Sequence, residues 1–272
     1  MSKIAKALAK AKKQRQKFSS RAQTSDVRSS VDALRLDLQQ LSYSQTKSIR
    51  LNNMHLESNR LHTLIDNALA VDRYNLLCTQ VLQKTRGNGR NVLMVTSCIE
   101  GEGKTVTAIN LATSLARKAQ HTVLLVDADL RNPKVRSYLG FHAEKGLSHY
   151  LEEDVPLAQL LVNPGLPKMV ILPAGKPLLH STEILGSPKM EQLVREMKTR
   201  YPERYVVFDC PPLLSVPDSL VFSSYVDGVI LVVEAGRTPV EQIRQSIDLL
   251  KDRTLLGLVL NKGRGSFKGY YY

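Results

Sequence analysis

Six short apolar runs separated by helical patterns leave this chain few folds to choose from. They lie at 92–96, 123–126, 169–172, 205–208, 229–233 and 255–260 and read as buried strands. Helical patterns fall between them, most clearly at 104–118, 188–200 and 238–251. Strand-then-helix alternation of this kind predicts an α/β domain, a doubly wound, mostly parallel sheet with helices on both faces. In such a sheet the ligand crevice lies beyond the carboxyl ends of the strands.

Three of the runs end in residues suited to a nucleotide. The first leads into Cys98-Ile-Glu-Gly-Glu-Gly-Lys-Thr105, which matches G-x-x-x-x-G-K-[ST] with Cys98 in the first glycine's place. Gly101 and Gly103 let the backbone approach phosphates closely. The loop amides and the following helix N-terminus offer them N–H donors. The expected cradle is Glu100, Gly101, Glu102, Gly103, Lys104, Thr105 and Val106. Lys104 is expected to reach the β- and γ-phosphates, and the Thr105 hydroxyl to ligate Mg²⁺.

The second run leads into Asp127-Ala-Asp-Leu-Arg131. A strand would project Asp127 and Asp129 to the same side. Two carboxylates there are costly without a cation or solvent. Mg²⁺, with a proton to be taken from a hydroxyl nucleophile, would account for both. The third run ends in Asp209-Cys-Pro-Pro212, whose prolines stop regular structure and hold the carboxylate at the crevice. The set predicts a P-loop NTPase binding ATP and Mg²⁺.

Charge is concentrated at the two ends. Residues 1–25 hold eight Lys or Arg and no acid, and Lys262, Arg264 and Lys268 follow near the other end, out of a net charge of +13. A nucleic-acid-binding fold more often carries its charge on a folded face, so no nucleic acid is expected. Residues 1–88 read as a basic, partly helical extension: an amphipathic pattern over 1–17, a polar linker at 18–30, a weak pattern over 31–70 and a firmer helix at 71–85. The basic arm is either a solvated charge run or a contact for anionic lipid or an acidic segment of a membrane partner. The ATPase domain is expected at 89–262 and a flexible tail at 263–272. No apolar run reaches the roughly 18 residues a span requires, and a cytoplasmic protein is expected. Cys78, Cys98 and Cys210 lack CxxC spacing, so neither a disulfide nor zinc is expected.

At these motifs the chain resembles the cytoplasmic catalytic domain of bacterial tyrosine kinases, the family that controls capsule and exopolysaccharide assembly. The family's modified Walker A, its Asp-x-Asp-x-Arg motif and its Asp-x-x-Pro Walker B correspond to Gly101–Thr105, Asp127–Arg131 and Asp209–Pro212. The likeness continues through Gly146-Leu-Ser148, Leu172-Pro-Ala-Gly175, Ser187-Pro-Lys-Met190, Val226-Asp-Gly228 and Gly257-Leu-Val-Leu-Asn-Lys262, over about residues 70–272. It implies phosphorylation of Tyr270, Tyr271 and Tyr272, one subunit acting on the next. By position it gives Lys104 to the phosphates, Asp127 to the base, Asp129 and Asp209 with Thr105 to Mg²⁺, and Arg131 to charge stabilisation. Asn261 stands where related ATPases read adenine; a polar cap at a strand end explains it equally well.

The resemblance also implies a separate inner-membrane polysaccharide co-polymerase as activator and a peripheral location through it. Two departures bear on function. Ile99 replaces the extra lysine of the partition and cell-division-site ATPases, which favours the kinase branch. The family's self-association segment, an acid and two arginines at three-residue spacing, corresponds here to Asp72, Asn75 and Cys78. The competing class is a nucleotide-dependent switch without kinase activity.

Overall fold

A computed structural model of the chain describes residues 46–65, 68–118, 121–201 and 203–263. The basic arm at 1–17, the linker at 18–30 and the tyrosines of the tail lie outside the described residues. In chain order the strands are β1 (Lys47–Ser48), β2 (Val92–Ser97), β3 (Thr122–Asp127), β4 (Val162–Asn163), β5 (Met169–Leu172), β6 (Arg204–Asp209), β7 (Gly228–Glu234) and β8 (Leu255–Asn261). The helices are α1 (Asn53–Ser58), α2 (Ala68–Thr85), α3 (Lys104–Ala116), α4 (Val135–Leu139), α5 (Leu147–Glu153), α6 (Leu157–Leu160), α7 (Ser181–Leu185), α8 (Pro188–Arg200), α9 (Asp218–Phe222) and α10 (Val240–Leu249).

The strands form one sheet in the order β1-β4-β5-β3-β6-β2-β7-β8. Every pairing is parallel except β4 with β5. The central strands β2, β3 and β6 are buried on both faces, which is why they read as continuous apolar runs rather than as alternation. On one face Leu93, Val95, Leu125, Val207 and Ile230 pack with Ile109 and Leu111 of α3. On the other, α8 packs against β6, and the Phe208 and Phe222 rings lie 4.7 Å apart. Ser187 caps α8 by accepting from the Met190 amide at 3.2 Å, with Pro188 in the first turn.

Two details depart from expectation. The run at 255–260 reads as a buried strand, but β8 is an edge strand with Leu258 and Leu260 exposed at 46% and 70%. A contiguous apolar run marks a strand without marking its place in the sheet. The weak pattern before residue 70 contains α1, started by Asn52, whose side chain accepts from the Met54 and His55 amides. Leu56 and Leu61 from this stretch, with Cys78 and Val81 of α2, enter the same core cluster as α3. The short elements β1, β4, α4 to α7 and α9 are too brief to show a period.

Candidate active site

The sheet delivers Asp127 and Asp209 as paired neighbours at the ends of β3 and β6. β2, paired with β6 on its other side, leads into the Gly101–Thr105 loop. Gly101 and Gly103 both have positive φ, 83° and 96°, a conformation that favours glycine. A Cβ at Gly103 would fall 2.1 Å from Asn261 Nδ2. The loop therefore lies directly against the end of β8, and Asn261 Nδ2 donates to the Glu102 carbonyl at 2.8 Å.

Four predicted residues converge at the start of α3. Lys104 Nζ donates to Asp129 Oδ2 at 2.7 Å and sits 3.7 Å from Asp209 Oδ1. Thr105 Oγ1 donates to Asp209 Oδ2 at 2.6 Å. Burial works against the lysine's charge, but Asp209 and then Asp129 outweigh it and raise its pKa. The ammonium stays charged where a phosphate would need it. Asp129 Oδ1 also accepts from the Asn132 amide at 3.0 Å.

Asp127 is arranged differently. β3 stops at Asp127, so strand alternation does not extend to Asp129, and the two carboxylates take separate partners. Asp127 Oδ2 accepts from the Val135 amide at 3.0 Å, while its buried Oδ1 has no partner. Burial first, then the charge of Asp209, pushes its pKa up to about 8. A carboxylate so poised has the free oxygen and the proton affinity of a general base. Burial likewise raises Asp209, whose Oδ1 also lacks a hydrogen-bond partner.

The remaining predicted residues divide. Glu100, Gly101, Gly103, Val106 and Asn261 line one cavity of about 1200 Å³ together with Lys104, Thr105 and Asp129. Its other wall is apolar, with Leu76 and Leu77 of α2 and Leu258 and Leu260 of β8. Glu102 is buried beneath the loop, accepting from the Ile99 amide at 2.8 Å and from the Thr238 hydroxyl. Arg131 is held by Asp218 and Thr182 and is not among the cavity residues. Of the segment matched to self-association, Asp72 is exposed and Asn75 half-buried, whereas Cys78 faces the core.

Two further contributors carry no motif. Asp218 and Thr238 hold the site from outside; Lys262, at the end of the Gly257–Lys262 stretch, lines the cavity and its Nζ donates to the Gly101 carbonyl at 2.7 Å. Only the Pro before Asp218, a helix-start signal, could have drawn attention to it.

The residues present fit Mg²⁺ bound with a nucleotide. Two buried carboxylate oxygens, Asp127 Oδ1 and Asp209 Oδ1, lack hydrogen-bond partners beside the Thr105 hydroxyl. Among the described residues no group of three His, Cys, Asp or Glu could hold a metal alone. Mg²⁺ held here by one or two carboxylates would complete its shell with phosphate and water.

A family model described as an AAA domain matches residues 91–257. The tyrosine-protein kinase CpsD of Streptococcus agalactiae is 31% identical over 188 residues, covering 68% of this chain and 80% of that protein. The tyrosine-protein kinase YwqD of Bacillus subtilis is 30% identical over 231 residues, covering 80% of this chain and 96% of its own length. The chain belongs to the bacterial tyrosine kinases. The VpsO kinase domain superposes on this kinase with a TM-score of 0.65 at 32% identity, covering 74% of this chain and 99% of that one. The septum site-determining protein MinD of Pyrococcus horikoshii, complexed with Mg-ADP, has a TM-score of 0.53 at 23% identity, covering 65% of this chain and 72% of its own. That likeness shows the shared P-loop fold alone. The kinase branch is thus favoured over the partition-type switch. No described helix of this kinase is long and apolar enough to cross a membrane.

Proposed function

We propose that the kinase transfers the γ-phosphoryl group of Mg-ATP to Tyr270, Tyr271 and Tyr272 of another copy of the chain. The observation that carries this is the unpartnered Asp127 oxygen beside the Lys104–Asp129–Asp209 cluster. Asp127 takes the phenol proton, the tyrosine oxygen forms a bond to the γ-phosphorus, and the bond to the bridging oxygen breaks to release ADP. Lys104 steadies the charge on the phosphates. Thr105, Asp129 and Asp209 would hold Mg²⁺, which when bound neutralises charge on the phosphates. Asn261 and the apolar wall would flank the base.

By analogy with the succinoglycan biosynthesis transport protein ExoP of Rhizobium meliloti, 33% identical over 192 residues, the process served is exopolysaccharide assembly. The match covers 24% of that protein. A separate inner-membrane co-polymerase would supply the activating segment, with the basic arm contributing contacts to it or to anionic lipid.

The test uses purified protein, Mg-ATP and mass spectrometry. Changing all three tail tyrosines to Phe removes only the hydroxyls, so phosphate incorporation falls to near zero while ATP binding persists. Mixed with a Lys104→Ala chain that keeps its tyrosines, the tail variant restores labelling on the Lys104→Ala chain alone. ATP hydrolysis by the wild type with no phosphotyrosine, even with the activator supplied, would instead establish the switch.

A further inference from the structure

One buried carboxylate lies outside everything described so far as chemistry. Asp218, at the start of α9, has a side chain with no exposed surface. Its Oδ1 accepts from Arg131 Nε at 3.4 Å and from Thr182 Oγ1 at 2.5 Å, and its Oδ2 accepts from Ser181 Oγ at 2.5 Å. Arg131 Nη2 also donates to Thr182 Oγ1 at 3.2 Å, which closes the group into a ring of contacts. A carboxylate this deeply buried persists only with such partners.

The partners come from three connections between strands. Arg131 follows β3, Ser181 and Thr182 lie beyond β5, and Asp218 lies beyond β6. Those strands are adjacent in the sheet, in the order β5-β3-β6. Two backbone bonds run the same way: Leu178 N to Leu130 O at 2.8 Å, and Ala128 N to Asp209 O at 2.9 Å. The loop so pinned is the one that carries Asp127 and Asp129. Its neighbours Asp129 and Asn132 line the nucleotide cavity, whereas Arg131 does not.

We propose that Asp218 is a positioning residue: through Arg131 it fixes the Asp127–Asp129 loop relative to Asp209, and so sets the carboxylate geometry for Mg-nucleotide. Arg131 then acts through this clamp rather than on a phosphate. The inference rests on the nucleotide reading of the site, not on tyrosine being the acceptor.

Single and paired substitutions test it, with the full chain, a fluorescent ADP analogue and Mg²⁺ titrated. Arg131→Ala and Asp218→Asn each raise the Mg²⁺ concentration for half-maximal binding by about 10- to 100-fold, as loss of an outer-shell partner does. Arg131→Met with Asp218→Leu, which fills the space without charge, is no worse than either single change, because both break one unit. Hydrogen exchange over 128–135 speeds up in all three variants without nucleotide. Arg131→Lys recovers part of the loss. If the single variants do not fold, the Met/Leu pair carries the test, and a wild-type Mg²⁺ dependence in it overturns the proposal. So does an Asp218→Asn protein with wild-type Mg²⁺ dependence beside an Arg131→Ala protein that has lost turnover, since Arg131 would then act on substrate directly. A wild type that binds Mg-nucleotide yet makes no phosphotyrosine defeats the kinase reading and leaves this test standing.

Discussion

Strands β6 and β8 both end at the nucleotide site, yet they are built on different physics. β6 runs through the middle of the sheet, buried from Tyr205 to Asp209, and finishes in a fully buried carboxylate. β8 forms the edge, exposes Leu258 and Leu260, and finishes in the neutral amide of Asn261. A charge at the end of a buried strand survives only with a counter-charge, and there electrostatic forces are strongest because water is excluded. Lys104 and Thr105 lie beside the buried strand, and the apolar wall beside the edge. Chemistry is placed where desolvation amplifies charge. Contact surface is placed where it does not.

The widest expected gap between the two strands is in stability. Phe208→Ala removes a fully buried ring that packs on Phe222 and should cost about 3–5 kcal/mol. Leu260→Ser, on the exposed edge, should stay within about 0.5 kcal/mol of wild type. Urea melts of the two variants check this, and a costly Leu260→Ser would mean that β8 is covered by something in solution.

Next comes rate. Lys104→Ala should lower phosphorylation by about 10² to 10³, and it should also lower the melt because Asp129 and Asp209 lose their counter-charge. Asp209→Asn should weaken Mg²⁺-dependent nucleotide binding more than Asp127→Asn does, because Asp209 also holds Thr105. Equal affinities for these two variants in a binding titration would reverse their assigned roles.

The last effect is a pH dependence. The folded pKa of Asp127 is raised to about 8, above the unfolded value near 4. Between those values the native state holds the extra proton, so wild-type stability without nucleotide falls as pH rises from about 4 to 8. Asp127→Asn removes that dependence. Its melting temperature should match wild type near pH 4 and exceed it at pH 8. A variant less stable than wild type at pH 8 would show that the ionised carboxylate is welcome where it lies.

Much of this was legible in the sequence because the central strands are buried on both faces. Val92–Ser97, Thr122–Asp127 and Arg204–Asp209 stand out as apolar runs, and an Asp closing two of them is conspicuous. The loop Gly101–Thr105 was equally plain, since backbone approach to phosphate requires glycine at fixed places. The exposure of β8 was not legible, because its leucines do not alternate with polar residues. Asp218 was invisible for another reason. Its partners Arg131, Ser181 and Thr182 lie far away in sequence, and no local spacing announces a contact made by three connections between strands. The entry of Leu56 and Leu61 into the core was hidden by the polar residues of α1 that face outward.

The close approach of Gly103 to Asn261 ties together the histories of two distant positions. The gap between them accepts a hydrogen atom and nothing larger, so what is tolerated at one depends on what occupies the other. Alanine at 103 meets two separate objections, the left-handed backbone and the amide of Asn261. A shorter residue at 261 answers only the second. Substitutions at 103 and 261 are therefore coupled: shortening the strand-end residue relieves only one of the two obstacles to a side chain in the loop.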